Sequence, residues 1–308
     1  MSTLYLSHPS GLDHLTPPGH PERPDRLRAI ERALEAEAFQ NLQRDMAPRA
    51  EMSDIVAAHP AGYVEMIEQA APSEGLVRID ADTAMSPGSW AAALHAVGAA
   101  TRAVDEVMAG KVTNAFCAMR PPGHHAEHDR AMGFCLFNTA AIAAMHARAV
   151  HGAERVAVID FDVHHGNGTQ DILWNERDLF YGSTHQMPLY PGTGATDETG
   201  VGNIVNAPLR AGDDGVAFRD AMEVRILPAL ERHRPDLIII SAGFDAHERD
   251  PLANINLVED DFAWITRRLM DIADAQCDGR VVSVLEGGYD LMGLSLSVAA
   301  HVRALMGS

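Results

Sequence analysis

The sequence predicts an α/β fold on a parallel sheet, because short apolar runs alternate with helix-period segments and polar clusters recur where those runs end. In chain order, Pro24 precedes a helix over 25–39 whose Leu27, Ile30 and Leu34 form an apolar stripe. The segment 90–108 sets Trp90, Leu94, Val97, Thr101, Val104 and Met108 at three- and four-residue steps, which is one face of a helix. From about residue 114 onward the runs 115–119, 156–160, 179–183, 237–241 and 281–285 read as buried strands, with 214–233 and 260–272 as further helices. No internal repeat or low-complexity linker divides the chain, so a single domain over 1–308 is expected.

Composition bounds the function. A chain of 308 residues with 46% hydrophobic and 22% charged content buries a sizeable core without a disulfide or structural metal. No run reaches the ~18–20 apolar residues of a membrane span, and MSTLYLSHPS lacks a basic and then apolar leader pattern, so a cytoplasmic protein with no membrane partner is expected. Cys117, Cys135 and Cys277 are odd in number and lack CxxC spacing, which reads as small core residues rather than a disulfide framework or thiolate metal site. A net charge of -19 argues against a nucleic-acid partner, since nothing concentrates Lys and Arg; the acidity serves solubility first and a cationic substrate second.

The chemistry sits in four clusters, each at the C-terminal end of an expected strand, which in an open α/β sheet is the ligand-binding edge. They are 120–125 (RPPGHH), 160–168 (DFDVHHGNG), 243–245 (GFD) and 286–289 (EGGY). Asp162 and His164 are two apart, so in strand conformation they face one side and reach one ion. Alone, that pair is weak, because Asp and His more often serve hydrogen-bond networks. Asp245 supplies a third ligand from another strand, and two carboxylates with one imidazole leave a fourth position open, as in catalytic zinc sites; Fe(II) and Co(II) also suit the set. His124 and His125 follow a Pro-Pro-Gly turn and make a general acid–base pair, with Asp160 as the carboxylate that orients His124. Taken singly, the His pair equally suits a polar loop, and Tyr289 after Gly287-Gly288 equally suits a core aromatic. Tyr289 can also donate to a developing oxyanion, while Phe134 and Tyr190 can wall a narrow slot.

Taken together these residues resemble the histone deacetylase family, particularly its class II members and the bacterial histone-deacetylase-like and acetylpolyamine amidohydrolases. The matching segments are HPERPDR at 20–26, RPPGHHAE at 120–127, GFCLFN at 133–138, DFDVHHGNGTQ at 160–170, YPGTG at 190–194, SAGFDAHERDPL at 241–252 and LEGGYD at 285–290. Joint agreement over almost the whole chain outweighs the bland reading of each motif alone. The resemblance implies the arginase/deacetylase fold, a parallel β-sheet of about eight strands flanked by helices. It also implies a zinc-dependent deacetylase or amidohydrolase acting on linear amides, with one Zn2+ on Asp162, His164 and Asp245. His125 would be the general base and acid, His124 with Asp160 its electrostatic support, and Tyr289 the oxyanion donor. A K+ ion is implied near the zinc, at Asp160, Asp162, His164, Ser183 and Thr184. Phe134, Gly133, Tyr190, Leu252 and Gly287 match the substrate tunnel, and Arg26 matches a product channel.

Asn167 stands where class I members carry an Asp that orients the second histidine. An amide partner predicts a lower pKa for His125 and a broad activity optimum on the alkaline side. A binuclear ureohydrolase on the same scaffold needs a second Asp two residues after Asp245, and here that position is His247. A non-catalytic metal-dependent binding protein is disfavoured because every residue needed for turnover, Tyr289 included, is present. The expected partner is a small-molecule or peptide N-acyl amine: acetyllysine, an acetylpolyamine or another acyl amide. Leu252 at the rim leans away from polyamines, while Glu248, Asp250 and Asp13 remain as acids for a second amine. A homo-oligomer is compatible with the sequence.

Overall fold

A computed structural model describes residues 2–307. Among the described residues ten strands form: β1 Thr3–Ser7, β2 Gln43–Met46, β3 Val77–Arg78, β4 Ala84–Met85, β5 Asn114–Cys117, β6 Val156–Asp160, β7 Leu179–Gln186, β8 Ile204–Leu209, β9 Leu237–Ala242 and β10 Val281–Leu285. Eight of them make one sheet in the order β2-β1-β5-β10-β9-β6-β7-β8, and every pairing within it is parallel. β3 and β4 form a separate antiparallel ribbon. The α/β class and the eight-strand parallel sheet are therefore as expected.

Alternation along the strands explains the layering. In β9, Leu237 and Ile239 pack into one apolar cluster and Ile238 and Ile240 into another, so the sheet is covered on both faces. On the first face, Ala96, Ala99, Ala100 and Ala103 of helix Ser89–Met108 and Ala140, Ala143, Ala144 and Ala147 of helix Thr139–His151 let both helices lie close to the strands. On the opposite face lie helices Asp25–Leu34, Glu259–Gln276 and Leu291–Leu305. Fully burying each such Leu or Ile contributes roughly 1.5–3 kcal/mol, which makes the central strands the most firmly held part of the molecule.

Several boundaries differ from those expected. The helix expected over 25–39 stops at Leu34; Ala36 turns extended, and a short 3-10 turn Glu37–Phe39 then tucks Phe39 into the core. The helix expected over 214–233 is broken into Gly215–Ala221 and Leu227–His233 by a π turn at Met222–Ile226. Pro228 is the cause: it offers no N–H to the preceding turn, and its ring needs the extra room.

The decisive feature is that β5, β10, β9 and β6 are neighbours in the middle of the sheet although they are far apart in sequence. All four point the same way, so the loops that follow them, at 118–125, 286–289, 243–245 and 161–168, emerge side by side on one edge. The three cysteines are free and buried. Among the described residues, no helix is long and apolar enough to cross a membrane.

Candidate active site

The loops after β6 and β9 bring Asp162, His164 and Asp245 together, with one ligand atom from each lying within 4.8 Å of the others. His164 Nδ1 is 3.1 Å from Asp162 Oδ1 and 3.1 Å from Asp245 Oδ2. Around a tetrahedral ion with ligands at about 2.0–2.1 Å, neighbouring donors lie about 3.3 Å apart, so the spacing already suits one small divalent ion. The backbone locks the carboxylates in place: Val163 N donates to Asp245 Oδ1, His164 N to Asp162 Oδ1 and Gly287 N to Asp162 Oδ2, at 2.8–2.9 Å.

The electrostatics make the same demand. Asp162 and Asp245 are fully buried, and among the described residues no Lys or Arg pairs with either. Burial and the Asp162 charge push the Asp245 carboxyl up, while burial is outweighed at Asp162 by His124 and His164, which hold it low. Burial works against a charged His164, yet its bonds to the two carboxylates carry it to about 10. A cation between these three side chains is what the donor set fits.

His124 and His125 lie beside this group with ring centroids 4.0 Å apart. Glu286, at the end of β10, accepts from Gly123 N at 2.7 Å and His124 N at 3.1 Å and so ties the histidine loop to the sheet edge. Asp160 Oδ2 takes His124 Nδ1 at 3.0 Å, the pairing expected from the sequence. Burial opposes charge on His124, but Asp162, Asp160 and Glu286 together raise its pKa well above the usual value, so it is cationic.

His125 is the opposite case. Burial and the neighbouring His124 and His164 charges hold its pKa well below the usual value. The hydrogen bond to Asn167 acts to raise it but is outweighed by burial and those charges. Asn167 Nδ2 donates to Glu127 Oε1 at 2.8 Å, which turns Oδ1 toward His125 Nδ1, also at 2.8 Å. Nδ1 therefore carries the proton, and Nε2 of a neutral ring is left with a free lone pair.

Above these groups lies a cavity of about 230 Å³ lined by Asp82, His125, Gly133, Phe134, His164, Leu189, Tyr190, Leu252 and Tyr289. It thus gathers Gly133, Phe134, Tyr190, Leu252 and Tyr289 as expected. Phe134 and Tyr289 meet edge to face at 6.0 Å, and Tyr190 stands over His125 at 5.2 Å. Gly133 and Phe134 both adopt left-handed backbone, at φ 57° and 69°. A Cβ at 133 would run into the His125 ring, whereas Phe134 tolerates the conformation to present its ring to the cavity. Gly287 sits below the cavity, where a Cβ would collide with Asp245 and Asp162.

Arg26 lies beneath Tyr289, fully buried, its guanidinium 5.0 Å from the ring centroid. It donates to Gly288 O at 2.6 Å and Glu286 O at 2.5 Å, while Glu22 pairs with both Arg26 and Arg120. Burial and Asp245 push the Tyr289 phenol well up, so it stays a protonated donor.

Two expectations need correction, and one competitor falls away. Asp250 is not a rim acid: it is buried, and its carboxylate accepts Tyr289 N, Asp290 N and Leu252 N at 2.7, 3.2 and 3.1 Å, bracing the loop that carries the tyrosine. Asp13 and Glu248 are exposed and do not line the cavity, whose carboxylate is instead Asp82, from the ribbon connecting β3 to β4. The only signal for Asp82 in the sequence was an acidic turn, DADT at 80–83, too common to single out. His247 turns away, its Nδ1 accepting from Arg249 N at 3.1 Å and its Nε2 3.5 Å from Glu259, so it gives no second ligand set. Asp160 and Ser183 are register partners across β6 and β7; all of Asp160, Asp162, His164, Ser183 and Thr184 are buried, though the Ser183 hydroxyl is engaged with His185 at 2.9 Å. A larger surface groove of about 690 Å³, near Met145, Arg148 and Glu176, holds no comparable group of catalytic side chains.

Comparison with known proteins gives a consistent picture. The profile of the histone deacetylase domain matches residues 20–305. The histone deacetylase-like amidohydrolase of Pseudomonas aeruginosa is 41% identical over 303 residues, covering 93% of this chain and 80% of that protein. A probable deacetylase of Methanothermobacter thermautotrophicus is 41% identical over 316 residues, 99% of this chain and 91% of its own. Histone deacetylase 10, chloroplastic, of Oryza sativa subsp. japonica is 40% identical over 94% of this chain and 70% of that protein. The crystal structure of the HDA15 HD domain superposes with a TM-score of 0.95 at 35% identity, over 100% of this chain and 88% of that one.

Proposed function

The chain belongs to the histone deacetylase family, and from that premise we propose that it is a zinc-dependent hydrolase removing acetyl or related acyl groups from N-acylated amines such as acetyllysine. The observation that carries this reading is the convergence of three metal-ligating side chains, a neutral histidine with a free Nε2 and a protonated tyrosine on one cavity. Asp162, His164 and Asp245 would hold the ion, which when bound supplies a Lewis acid for the amide carbonyl and for water.

His125 Nε2 takes the proton of the attacking water and delivers it to the leaving amine, the exchange for which a neutral, buried imidazole is suited. Cationic His124, anchored on Asp160, offsets the negative charge that develops beside it. The Tyr289 hydroxyl donates to the tetrahedral oxyanion, a contact that tightens only as that charge forms. Phe134 and Tyr190 hold the alkyl stem of the substrate and exclude water from the floor. The same reading puts K+ among oxygens of Asp160, Asp162, His164, Ser183 and Thr184, where it would support the strand ends.

The test is release of acetate from a fluorogenic acetyllysine peptide. Tyr289→Phe should lower kcat at least 100-fold with metal content unchanged, and chelation should abolish a signal that Zn2+ restores. A Tyr289→Phe enzyme with wild-type turnover would sink the assignment. Asp82 in the cavity wall favours a substrate carrying a second amine, so acetylspermidine belongs on the same panel, and the ratio of kcat/KM values decides between the two substrate classes.

A further inference from the structure

A second group of metal-ligating side chains lies on the first face of the sheet, away from the cavity. Asp105 projects from helix Ser89–Met108, and His146 and His151 from helix Thr139–His151. Their ligand atoms all lie within 4.8 Å of one another. Both imidazoles aim Nε2 at the same carboxylate oxygen, Asp105 Oδ1, at 2.8 Å from His146 and 2.7 Å from His151. Helix Thr139–His151 starts at Asn138 next to the catalytic histidines and rises about 1.5 Å per residue, so His146 and His151 sit about 12 and 20 Å further along it.

Asp54 is the informative neighbour. Its Oδ1 lies 2.9 Å from His146 Nδ1 and accepts that proton, the carboxylate–histidine arrangement that orients a ligating imidazole. In the neutral ring Nε2 then bears a lone pair, and that lone pair faces an anionic oxygen. Among the described residues no Lys or Arg pairs with Asp54 or Asp105. The helix end nearby adds negative partial charge from its last carbonyls. A metal ion set between these groups would take that lone pair and the Asp105 oxygen together.

We propose that Asp105, His146 and His151, with Asp54 orienting His146, form a second binding site for a divalent transition-metal ion of the Zn2+, Co2+ or Ni2+ class. Two imidazoles and one carboxylate exclude Mg2+ and Ca2+, which take oxygen ligands, and three protein ligands leave a coordination position to water. Entry of the ion requires the donors to part from 2.7–2.8 Å to about 3.3 Å, a movement of about half an ångström. Asp105, with its side chain 42% exposed, and His151, at the last helical residue, are free to make it. The ion would staple the two helices across their solvent side. The site shares no residue with the cavity and stands whether or not the catalytic ion is zinc.

Metal content per chain, after dialysis of the intact protein against micromolar Zn2+, tests it. Wild type should hold two equivalents, His151→Gln and Asp105→Asn one each, and Asp245→Asn one, retaining the helix site. Both helix-site positions are partly exposed, so these variants should fold, and deacetylation by them should stay within twofold of wild type. Loading with Co2+ gives a second readout, a set of visible bands that persists in Asp245→Asn and disappears in His151→Gln. A single equivalent in wild type that persists in His151→Gln and Asp105→Asn, or two equivalents in both of those variants, would overturn the site and leave the two histidines as hydrogen-bond partners of Asp105.

Discussion

At Asn167 a single amide decides how His125 holds its proton. Because Nδ2 is committed to Glu127, Oδ1 fixes the proton on Nδ1 without adding negative charge. Asn167→Asp would put an anion on the same nitrogen and stabilise the imidazolium. The base works deprotonated, so raising its pKa moves the acid limb of the kcat/KM profile to higher pH, by about one unit or more. An unmoved limb would show that the ring's proton affinity is set elsewhere. Tyr289 illustrates a different dependence: its ring is placed by Arg26 below, Phe134 beside and Asp250 on its own backbone N–H.

Among the structural elements, the loop after β10 is the most tightly constrained. Gly287 O accepts from Phe244 N at 3.0 Å and Gly287 N donates to Asp162, so this residue joins the β6 and β9 loops. Gly287→Ala drives a methyl group into the ligand carboxylates; it should cut kcat/KM at least 100-fold and weaken metal retention on dialysis, with the far-ultraviolet circular dichroism unchanged. A fully active, metal-retaining alanine variant would mean that the loop is looser than its contacts indicate. The same scale shows what the sequence made legible. Inner strands such as β9, LIIISA, are apolar on both faces and stand out, and the residues after them carry the ligands. The edge strand β2, QRDM, is exposed throughout and has no apolar signal, and β8 contains Pro208, which argues against a strand in any local reading. Helix Thr139–His151 is so rich in alanine that it lacks a contrasting polar face. The helix-borne cluster of Asp105, His146 and His151 was invisible for a similar reason: its members are separated by up to 46 residues and meet only through packing of two helices.

For the whole molecule, buried neutral histidines govern behaviour in acid. Burial lowers His301 from the usual 6.5 to about 3, and lowers His59 and His185 to about 4. Thr266 Oγ1 donates to Phe262 O and so accepts from His301 Nδ1, while Ser283 Oγ lies 2.9 Å from Nε2, which fixes a neutral ring in the core. A histidine lowered in the folded state favours folding above 6.5, and that advantage is lost as pH falls from 6.5 toward 3, because only the unfolded chain takes up the proton. Each such ring contributes a slope of up to about 1.4 kcal/mol per pH unit. Raised histidines such as His164 act above 6.5, whereas Asp250 and Glu286, both pushed up to about 7 chiefly by burial, take up a proton in the fold within this window and oppose the histidine slope. In urea melts between pH 6 and 4.5, His301→Gln should lower the loss of stability on acidification by about one proton relative to wild type, even if its absolute stability is lower; an unchanged slope would rule out His301 as a source.

The two ends of the sheet bear on how copies of this chain meet one another. An uncovered parallel edge invites a stranger's backbone to add itself as the next strand, yet β2 is only four residues long and offers three exposed polar side chains, two of them charged. At the other end, Asn203 and Leu209 turn their carbonyls toward β7, so strand alternation puts the missing N–H of Pro208 on the outer margin. Growth of the sheet from one molecule into the next is thereby discouraged at both borders, and crowded solutions of the folded protein are protected from ribbon-like aggregation without any residue of the cavity being involved.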